Sequence, residues 1–92
     1  MDFEWDPKKA KANKAKHGVD FELAKDVFLD PACLISLDES SEDEQRWRII
    51  GLGGGKVLLV VFTERNGDVI RIISAREANK HEARDYFGQT AP

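Results

Sequence analysis

Two turn signals near the middle of the chain constrain its fold more than any other feature. Gly53–Gly55 and Asn66–Gly67 enclose a short apolar run, Val57–Phe62, whose composition is typical of a central strand of a sheet. Asn-Gly favours the two-residue turns of β-hairpins, and consecutive glycines supply the positive φ angles that such turns need. The segment therefore predicts two successive hairpins, with Arg46–Leu52 before the run and Val69–Ile73 after it.

Two short helices are predicted before the sheet. The first begins at Asp6–Pro7, where the aspartate is a favoured N-cap and the proline fits the first helical position. It ends near His17–Gly18, because glycine tolerates the left-handed conformation that follows many helices. The second begins at Asp20 and shows an apolar face at helical spacing until Asp30–Pro31 stops it.

The remaining elements complete an α+β domain. Cys33–Leu37 predicts a brief strand, and the acidic segment Asp38–Glu44 predicts an exposed loop. Ser74–Glu77 has the pattern of a capping box and predicts a last helix, which ends near Phe87–Gly88. The predicted order is ααββββα in a single domain over residues 1–92, with the helices on one face of a four-stranded antiparallel sheet and the other face available.

The charge of the chain is compatible with binding RNA. A net charge of −3 alone disfavours a nucleic-acid partner, because attraction to phosphates supplies most nonspecific affinity. Five of the 17 acidic residues, however, lie in Asp38–Glu44, and the rest of the chain carries 14 basic and 12 acidic residues. The basic residues cluster in the first helix and in the last third of the chain.

Other sequence features exclude several classes of protein. Cys33 is the single cysteine, so an internal disulfide and a zinc-finger spacing are both excluded. The chain opens with Asp2 and Glu4 rather than a basic leader, and Val57–Phe62 is too short to cross a bilayer. We expect a cytoplasmic protein with no membrane contact, no cofactor and no metal.

Two ordered series of residues carry a family resemblance. The first comprises Phe3–Lys9, Asn13, Lys16–Val19 and Phe21–Glu22; the second comprises Thr63–Arg65, Arg71–Arg76, Glu82 and Tyr86. Together they span nearly the whole chain and resemble the two signatures of the BrnT toxin family. Family members often carry an arginine directly after the glutamate of the last helix, whereas this chain has Ala83 there, with Arg84 beside it.

This resemblance implies a RelE-like fold and a specific activity. Members of the family are metal-independent endoribonucleases that inhibit translation and form the toxic half of a type II toxin–antitoxin pair. A BrnA-like antitoxin holds the toxin inactive, and the DNA-binding part of that antitoxin represses the shared operon. The implied partners are therefore the antitoxin and an RNA substrate, with operator DNA reached only through the antitoxin.

The chemistry indicates which residues are candidates for catalysis. When a ribose 2′-OH attacks the adjacent phosphorus, one group must take a proton, another must give one, and cations must stabilise the phosphorane. Arginine suits the last role because its fork of donors matches phosphate oxygens. Arg65, after the third predicted strand, and Arg76, in the first turn of the last predicted helix, are the first candidates. The alternative for Arg65 is a salt bridge with Glu64 or Asp68.

Three residues are candidates for proton transfer. His17 is the strongest, because imidazole titrates near neutral pH and the lysines of the first helix surround it, although a plain helix-terminal histidine explains it equally well. Glu64 is the alternative base. His81 is weaker because it lies outside both family series.

Four further residues, Lys16, Arg71, Arg84 and Tyr86, are candidates for RNA binding. Arg71 alternates with isoleucines in its strand and should face the open side of the sheet. Tyr86 would stack on a base, but packing inside the protein explains a helical aromatic as well. The same cations also fit a noncatalytic module that binds RNA or only a protein partner, and what separates the two functions is a titratable group placed beside two arginines.

Overall fold

The computed structural model describes residues 1–40 and 42–89. These residues form a five-stranded sheet with helices packed against it. The strands are β1 (Asp2–Glu4), β2 (Leu34–Asp38), β3 (Arg46–Gly53), β4 (Lys56–Arg65) and β5 (Val69–Glu77). The helices are α1 (Pro7–His17), α2 (Phe21–Ala24), a 3-10 helix (Lys25–Leu29) and α3 (Lys80–Gly88). The second predicted helix therefore has one α-helical turn and continues as a tighter 3-10 helix.

The strand order in the sheet is β1-β5-β4-β3-β2. The four strands β2 to β5 form the predicted antiparallel meander. The prediction omitted β1, which adds a fifth strand parallel to β5, with Asp2 opposite Val69 and Glu4 opposite Arg71. The sheet is therefore mixed, and β1 covers only the first part of the outer edge of β5.

Both predicted turns are confirmed by their backbone angles. Gly54 and Gly55 have φ angles of 61° and 78° between β3 and β4. Asn66 and Gly67 have φ angles of 50° and 81° between β4 and β5. Positive φ at both central residues is what a type I′ hairpin turn requires.

The caps of α1 also agree with the prediction. The Asp6 carboxylate accepts a hydrogen bond of 2.8 Å from the backbone N–H of Lys8. Gly18, at φ 74°, donates its N–H to the carbonyl of Lys14 at 2.8 Å. With α2 and the 3-10 helix, α1 covers one face of the sheet over a core that includes Phe21, Val27, Ile49, Leu58, Val60 and Phe62.

Asn13 joins α1 to the part of β5 that β1 leaves uncovered. The buried side chain donates to the carbonyl of Ala75 at 2.8 Å and accepts from the N–H of Ala75 at 3.1 Å. It also donates to the carbonyl of Val19 at 3.1 Å. The carboxamide thus takes the place of a peptide group in a sixth strand and blocks an edge that would otherwise be open to pairing.

The predicted capping box at Ser74–Glu77 is wrong, because this segment is part of β5. Ser74 pairs with Val61 and Glu77 with Leu58 in the ladder with β4, and Ile73 is the extra residue of a bulge. The last helix instead begins at Lys80, behind a capping box formed by Asn79 and Glu82. Arg76 is therefore a strand residue and does not lie in the first turn of a helix.

The prediction that all helices share one face is also wrong. Tyr86 of α3 packs with Ile50 and Leu59, which point away from the face that α1 covers. The carboxamide of Gln89, just after α3, donates to the carbonyl of Ala32. Helix α3 thus covers one end of the second face and leaves the rest of that face open.

Candidate functional site

The open part of the second face carries a row of arginines. Ile49 and Val60 point into the core that α1, α2 and the 3-10 helix cover, so their neighbours along the strands point to the opposite side. The same alternation, read through the pairing of β3, β4 and β5, brings five arginines to that side: Arg46, Arg48, Arg65, Arg71 and Arg76. We call this surface the arginine face.

At one end of the arginine face, two arginines share one carboxylate. Arg76 donates from both terminal nitrogens to Glu82, to Oε1 at 2.8 Å and to Oε2 at 2.9 Å. Arg48 donates to the same Oε2 at 2.9 Å, and the backbone N–H of Asn79 donates to Oε1 at 2.9 Å. We call Arg48, Arg76 and Glu82 the Glu82 cluster.

The burial and charge of the Glu82 cluster differ between its members. The Glu82 side chain is only 9% exposed, whereas those of Arg48 and Arg76 are each 37% exposed. The hydrogen bond from Arg76 is the main cause that holds the pKa of Glu82 below its usual range. In return, the bond to Glu82 raises the pKa of Arg76 above its ordinary value. The carboxylate is therefore ionised, and the cluster carries one net positive charge at neutral pH.

At the other end of the arginine face, a second glutamate lies between two arginines. Glu44 Oε1 is 3.4 Å from Arg46 Nε, and Glu44 Oε2 is 3.6 Å from a terminal nitrogen of Arg65. The side chain of Glu44 is 37% exposed and that of Arg65 is 49% exposed. We call these three residues the Glu44 cluster. The acidic partner of Arg65 is thus Glu44, from the acidic loop, rather than Glu64 or Asp68.

The structure separates the two first candidates, Arg65 and Arg76. Arg76 lies opposite Leu59 of β4, so six strand residues, or about 20 Å at about 3.3 Å per residue, separate it from Arg65 along the sheet. Arg71 lies between them on the same face, as predicted from its alternation, and forms a 2.7 Å ion pair with Glu4. Arg65 and Arg76 therefore lie at opposite ends of the arginine face.

The candidates for proton transfer also lie at different ends of the sheet. Lys16 and His17 are exposed at the end of α1. Asn13 holds α1 at Ala75 of β5, so the last turn of α1 lies near that end of the strand, but α1 packs on the face opposite the arginine face. Glu64 is exposed beside Arg65 but points to the other side of the sheet, where it borders a groove with Phe62 and Ile70.

The two candidates on α3 have different surroundings. Tyr86 is only 4% exposed, and its hydroxyl donates to Asp30 Oδ2 at 2.5 Å. This bond and burial raise the pKa of Tyr86 to about 12. The ring is not available to stack on a base, so packing explains Tyr86. Arg84 is exposed on the same helix.

A cleft of about 440 Å³ opens beside the Glu82 cluster, between β2 and α3. Its polar lining includes Ser36, Arg48, His81, Glu82 and Asp85. His81 Nε2 lies 3.7 Å from Asp85 Oδ2, and the His81 side chain is 81% exposed. The cleft gives solvent and ligands direct access to Arg48.

The sequence reasoning missed Arg46 and Arg48 as candidates. Both alternate with Trp47 and Ile49 in β3, the same signal that identified Arg71 in β5. That alternation was sufficient to place them on the open face. The pairing of Arg48 with Glu82 depends on where α3 docks, which the sequence pattern did not predict.

Two further observations concern the part of the chain that the structure describes. Among residues 1–40 and 42–89, no group of three or more His, Cys, Asp or Glu side chains is arranged to hold a metal ion. None of the helices described there has the length and apolar composition needed to cross a membrane.

Comparisons with known proteins identify the family. No curated protein sequence matches the chain significantly. Among solved structures, the chain is similar to the crystal structure of the Brucella abortus ribonuclease toxin BrnT, with 30% identity and a TM-score of 0.66. That match covers 87% of this chain and 99% of the Brucella chain. Residues 5–82 match the family model described as the ribonuclease toxin BrnT of type II toxin–antitoxin systems, so the chain belongs to the BrnT toxin family.

Proposed function

We propose that this chain is the toxin of a type II toxin–antitoxin pair and acts in the cytoplasm as a metal-independent endoribonuclease. The family membership supports a ribonuclease. The observation that carries the proposal is the arginine face, where five guanidinium groups share one open side of a rigid sheet. Such a surface suits RNA, because phosphate contacts supply most of the affinity for a nucleic acid.

Cleavage in this proposal follows the 2′-OH route. The hydroxyl attacks the adjacent phosphorus while a base takes its proton. The bond from phosphorus to the 5′ oxygen then breaks, leaving a cyclic phosphate and a 5′-hydroxyl that receives a proton from an acid. Arg76 stabilises the negative charge that develops on the phosphorane, and its bidentate bond to Glu82 fixes its position before RNA arrives.

The other candidates take the remaining roles. His17 transfers the proton and Lys16 beside it binds the backbone, which requires the RNA to pass around the β5 edge from Arg76 to the end of α1. Arg71 and Arg65 bind successive phosphates along the face, about 20 Å of strand from end to end. Arg84 extends the basic surface on α3. Glu64 is the alternative base; it is exposed next to Arg65 in the sequence but points to the other side of the sheet.

The inhibitor in this proposal is a BrnA-like antitoxin that covers the arginine face. A surface with an excess of arginine over acidic partners attracts an acidic segment of another protein. Operator DNA is reached only through the DNA-binding part of the antitoxin.

The first test is cleavage of a metal-free RNA by the wild type and by Arg76→Ala, Arg65→Ala and His17→Ala. Lys56→Ala is the matched control, because Lys56 is an exposed cation at the start of β4, outside the arginine face. We expect Arg76→Ala to lose at least about 100-fold in rate, as loss of one oxyanion-stabilising group does in other enzymes. Arg65→Ala should mainly raise KM, and the control should cleave normally.

Circular dichroism and thermal melting establish that each variant is folded. If folded wild type binds RNA but leaves it intact with and without chelator, the chain is a noncatalytic binding module. Copurification of a tagged chain with the product of its neighbouring gene tests the antitoxin, and recovery of free protein alone at micromolar concentration contradicts that pairing.

A further inference from the structure

One arginine of the Glu82 cluster has no role in the proposed function. Arg48 lies on β3, two strands from Arg76, yet both reach the same carboxylate oxygen. We propose that Arg48 is a second phosphate-contacting residue of the RNA site, and that Glu82 is the positioning residue that holds the two guanidinium groups as a pair. The inference rests on the proposed function, because it assigns a further contact to the same RNA strand.

The first argument is the distance between the two guanidinium groups. One terminal nitrogen of each arginine lies 2.9 Å from Glu82 Oε2, so the two nitrogens are within about 6 Å of each other. An anion placed between them on the open side can accept a hydrogen bond from each. A phosphodiester group has two non-bridging oxygens and fits this pair of donors.

The second argument is the number of donors that stay available. An arginine side chain has five N–H donors. Within the described residues, Arg48 donates a single side-chain hydrogen bond, to Glu82, and 37% of its side chain is exposed beside the cleft. The neighbours of Arg48 across the sheet are Ser36 and Val61, neither of which supplies a charge. Arg48 therefore presents most of its donors to a ligand that enters from the cleft.

The third argument is the way Glu82 itself is held. Its carboxylate accepts from the N–H of Asn79, while its own N–H donates to the Asn79 side chain at 2.8 Å. This capping box fixes the carboxylate to the start of α3, and 9% exposure leaves it little freedom. The cluster thus has two cations fixed by one anion, and a phosphate would balance the remaining charge.

The two other acidic groups near the Glu82 cluster have hydrogen-bond or ion-pair partners of their own. Asp85, on the wall of the cleft, faces His81. Asp38, at the end of β2, accepts hydrogen bonds from Ser40, which are the main cause of its lowered pKa, and the nearby charge of Arg48 contributes less. In the described part of the chain, Glu82 is the carboxylate that contacts Arg48 and Arg76.

The first experiment measures binding of a single-stranded 2′-O-methyl RNA, which the 2′-OH route cannot cleave, at several salt concentrations. A plot of log affinity against log salt has a negative slope, and Arg48→Ala should make that slope shallower by about 0.7, the value for one lost phosphate contact on a single strand. Arg48→Lys should keep the slope but weaken cleavage, because lysine keeps the charge and loses the fork. Lys56→Ala, the matched control, should leave the slope unchanged.

The second experiment separates positioning from general stability. Glu82→Gln removes the negative charge, so the RNA should bind as tightly as before or more tightly. The cleavage rate should nevertheless fall at least about tenfold, because misplacing a charge-stabilising group by about 1 Å can cost as much as 100-fold. A merely structural role predicts a lower melting temperature with kcat and KM of the folded fraction unchanged.

The outcomes distinguish this inference from the proposed function. If Arg76→Ala and Arg65→Ala lower the salt slope and folded Arg48→Ala does not, the role of Arg48 is wrong and the proposed function stands. If none of the three changes the slope, the arginine face is not the RNA interface and both proposals fail. If Glu82→Gln lowers only the melting temperature, the positioning role of Glu82 is wrong.

Discussion

The two ends of the arginine face use the same set of residues, one glutamate between two arginines, in different ways. In the Glu82 cluster the contacts are 2.8 to 2.9 Å and the carboxylate is 9% exposed. In the Glu44 cluster the contacts are 3.4 and 3.6 Å and the carboxylate is 37% exposed. Glu82 belongs to a capped helix, whereas Glu44 belongs to a loop between two strands.

This difference shows what a helix contributes to a charged site. A carboxylate on a capped helix has a fixed position and little contact with water, so its arginines are already oriented when a ligand arrives. A carboxylate on an exposed loop is screened by water and salt, and contributes little to stability. The Glu82 end suits chemistry that needs fixed geometry, and the Glu44 end suits contacts that form and break easily.

The largest expected effect is on stability. Glu82→Ala leaves Arg48 and Arg76 without their carboxylate and removes half of the α3 capping box, so we expect the free energy of unfolding to fall by about 2 to 3 kcal/mol. Glu44→Ala, the matched variant, should cost less than about 0.5 kcal/mol. Urea denaturation measures the free energy of unfolding of both variants. Equal decreases in the two variants would show that the two clusters do not differ in their contribution to stability.

The second prediction concerns acid. Because the pKa of Glu82 is lowered in the folded protein, its contribution to stability is present above the ordinary pKa of about 4.3 and is lost as pH falls through the lower, folded value. The urea concentration at the midpoint of unfolding should therefore decrease for the wild type when the pH is lowered below about 4, and it should decrease less for Glu82→Gln. Some acid sensitivity should remain, since the bond from Tyr86 also lowers the pKa of Asp30.

The third prediction concerns the hydrogen bond that anchors α3, the helix that carries Glu82. Tyr86→Phe removes the hydrogen bond to Asp30 and should cost about 1 kcal/mol. The pKa of Tyr86 is raised to about 12, so its contribution is present below about pH 10 and is lost as pH rises toward 12. Alkaline denaturation should show this loss in the wild type and not in Tyr86→Phe.

The smallest expected effect is at the Glu44 end. Glu44→Gln removes the anion next to Arg46 and Arg65, so RNA should bind up to about threefold more tightly at low salt. The gain should disappear at high salt, where exposed charges are screened. Filter binding at two salt concentrations measures it, with Glu39→Gln as a matched control from the same loop. A gain that persists at high salt would show that Glu44 is held as firmly as Glu82.

The turns and helix caps that depend on neighbouring residues were predicted correctly from the sequence. The turns at Gly53–Gly55 and Asn66–Gly67 require particular backbone angles, and the caps of α1 need particular side chains, so local patterns identified them. The same locality explains the error at Ser74–Glu77. Both Ser74 with Glu77 and Asn79 with Glu82 match a capping box, and the pairing of Ser74–Glu77 with strand residues thirteen to nineteen positions earlier decides between them.

The positions of the candidate residues could likewise be predicted only where they depend on a local pattern. Strand alternation correctly placed Arg71 on the open face and would have placed Arg48 there as well. It could not show that Arg65 and Arg76 lie at opposite ends, because that depends on the register of β4 and β5. Nor could it show β1, since three residues with no turn beside them carry little signal and their partner lies near the other end of the chain.

The attachment of the N-terminal segment to β5 has a consequence for how the protein is made. Both β1 and Asn13 bond to residues of β5 that lie more than 60 positions later in the chain. A ribosome therefore synthesises α1 long before the strand on which it docks, and domains generally fold as units. Nascent chains that end before Ala75 lack this docking site, and they also lack Arg76 and Glu82, so neither the docked α1 nor the Glu82 cluster can be in place in such a product.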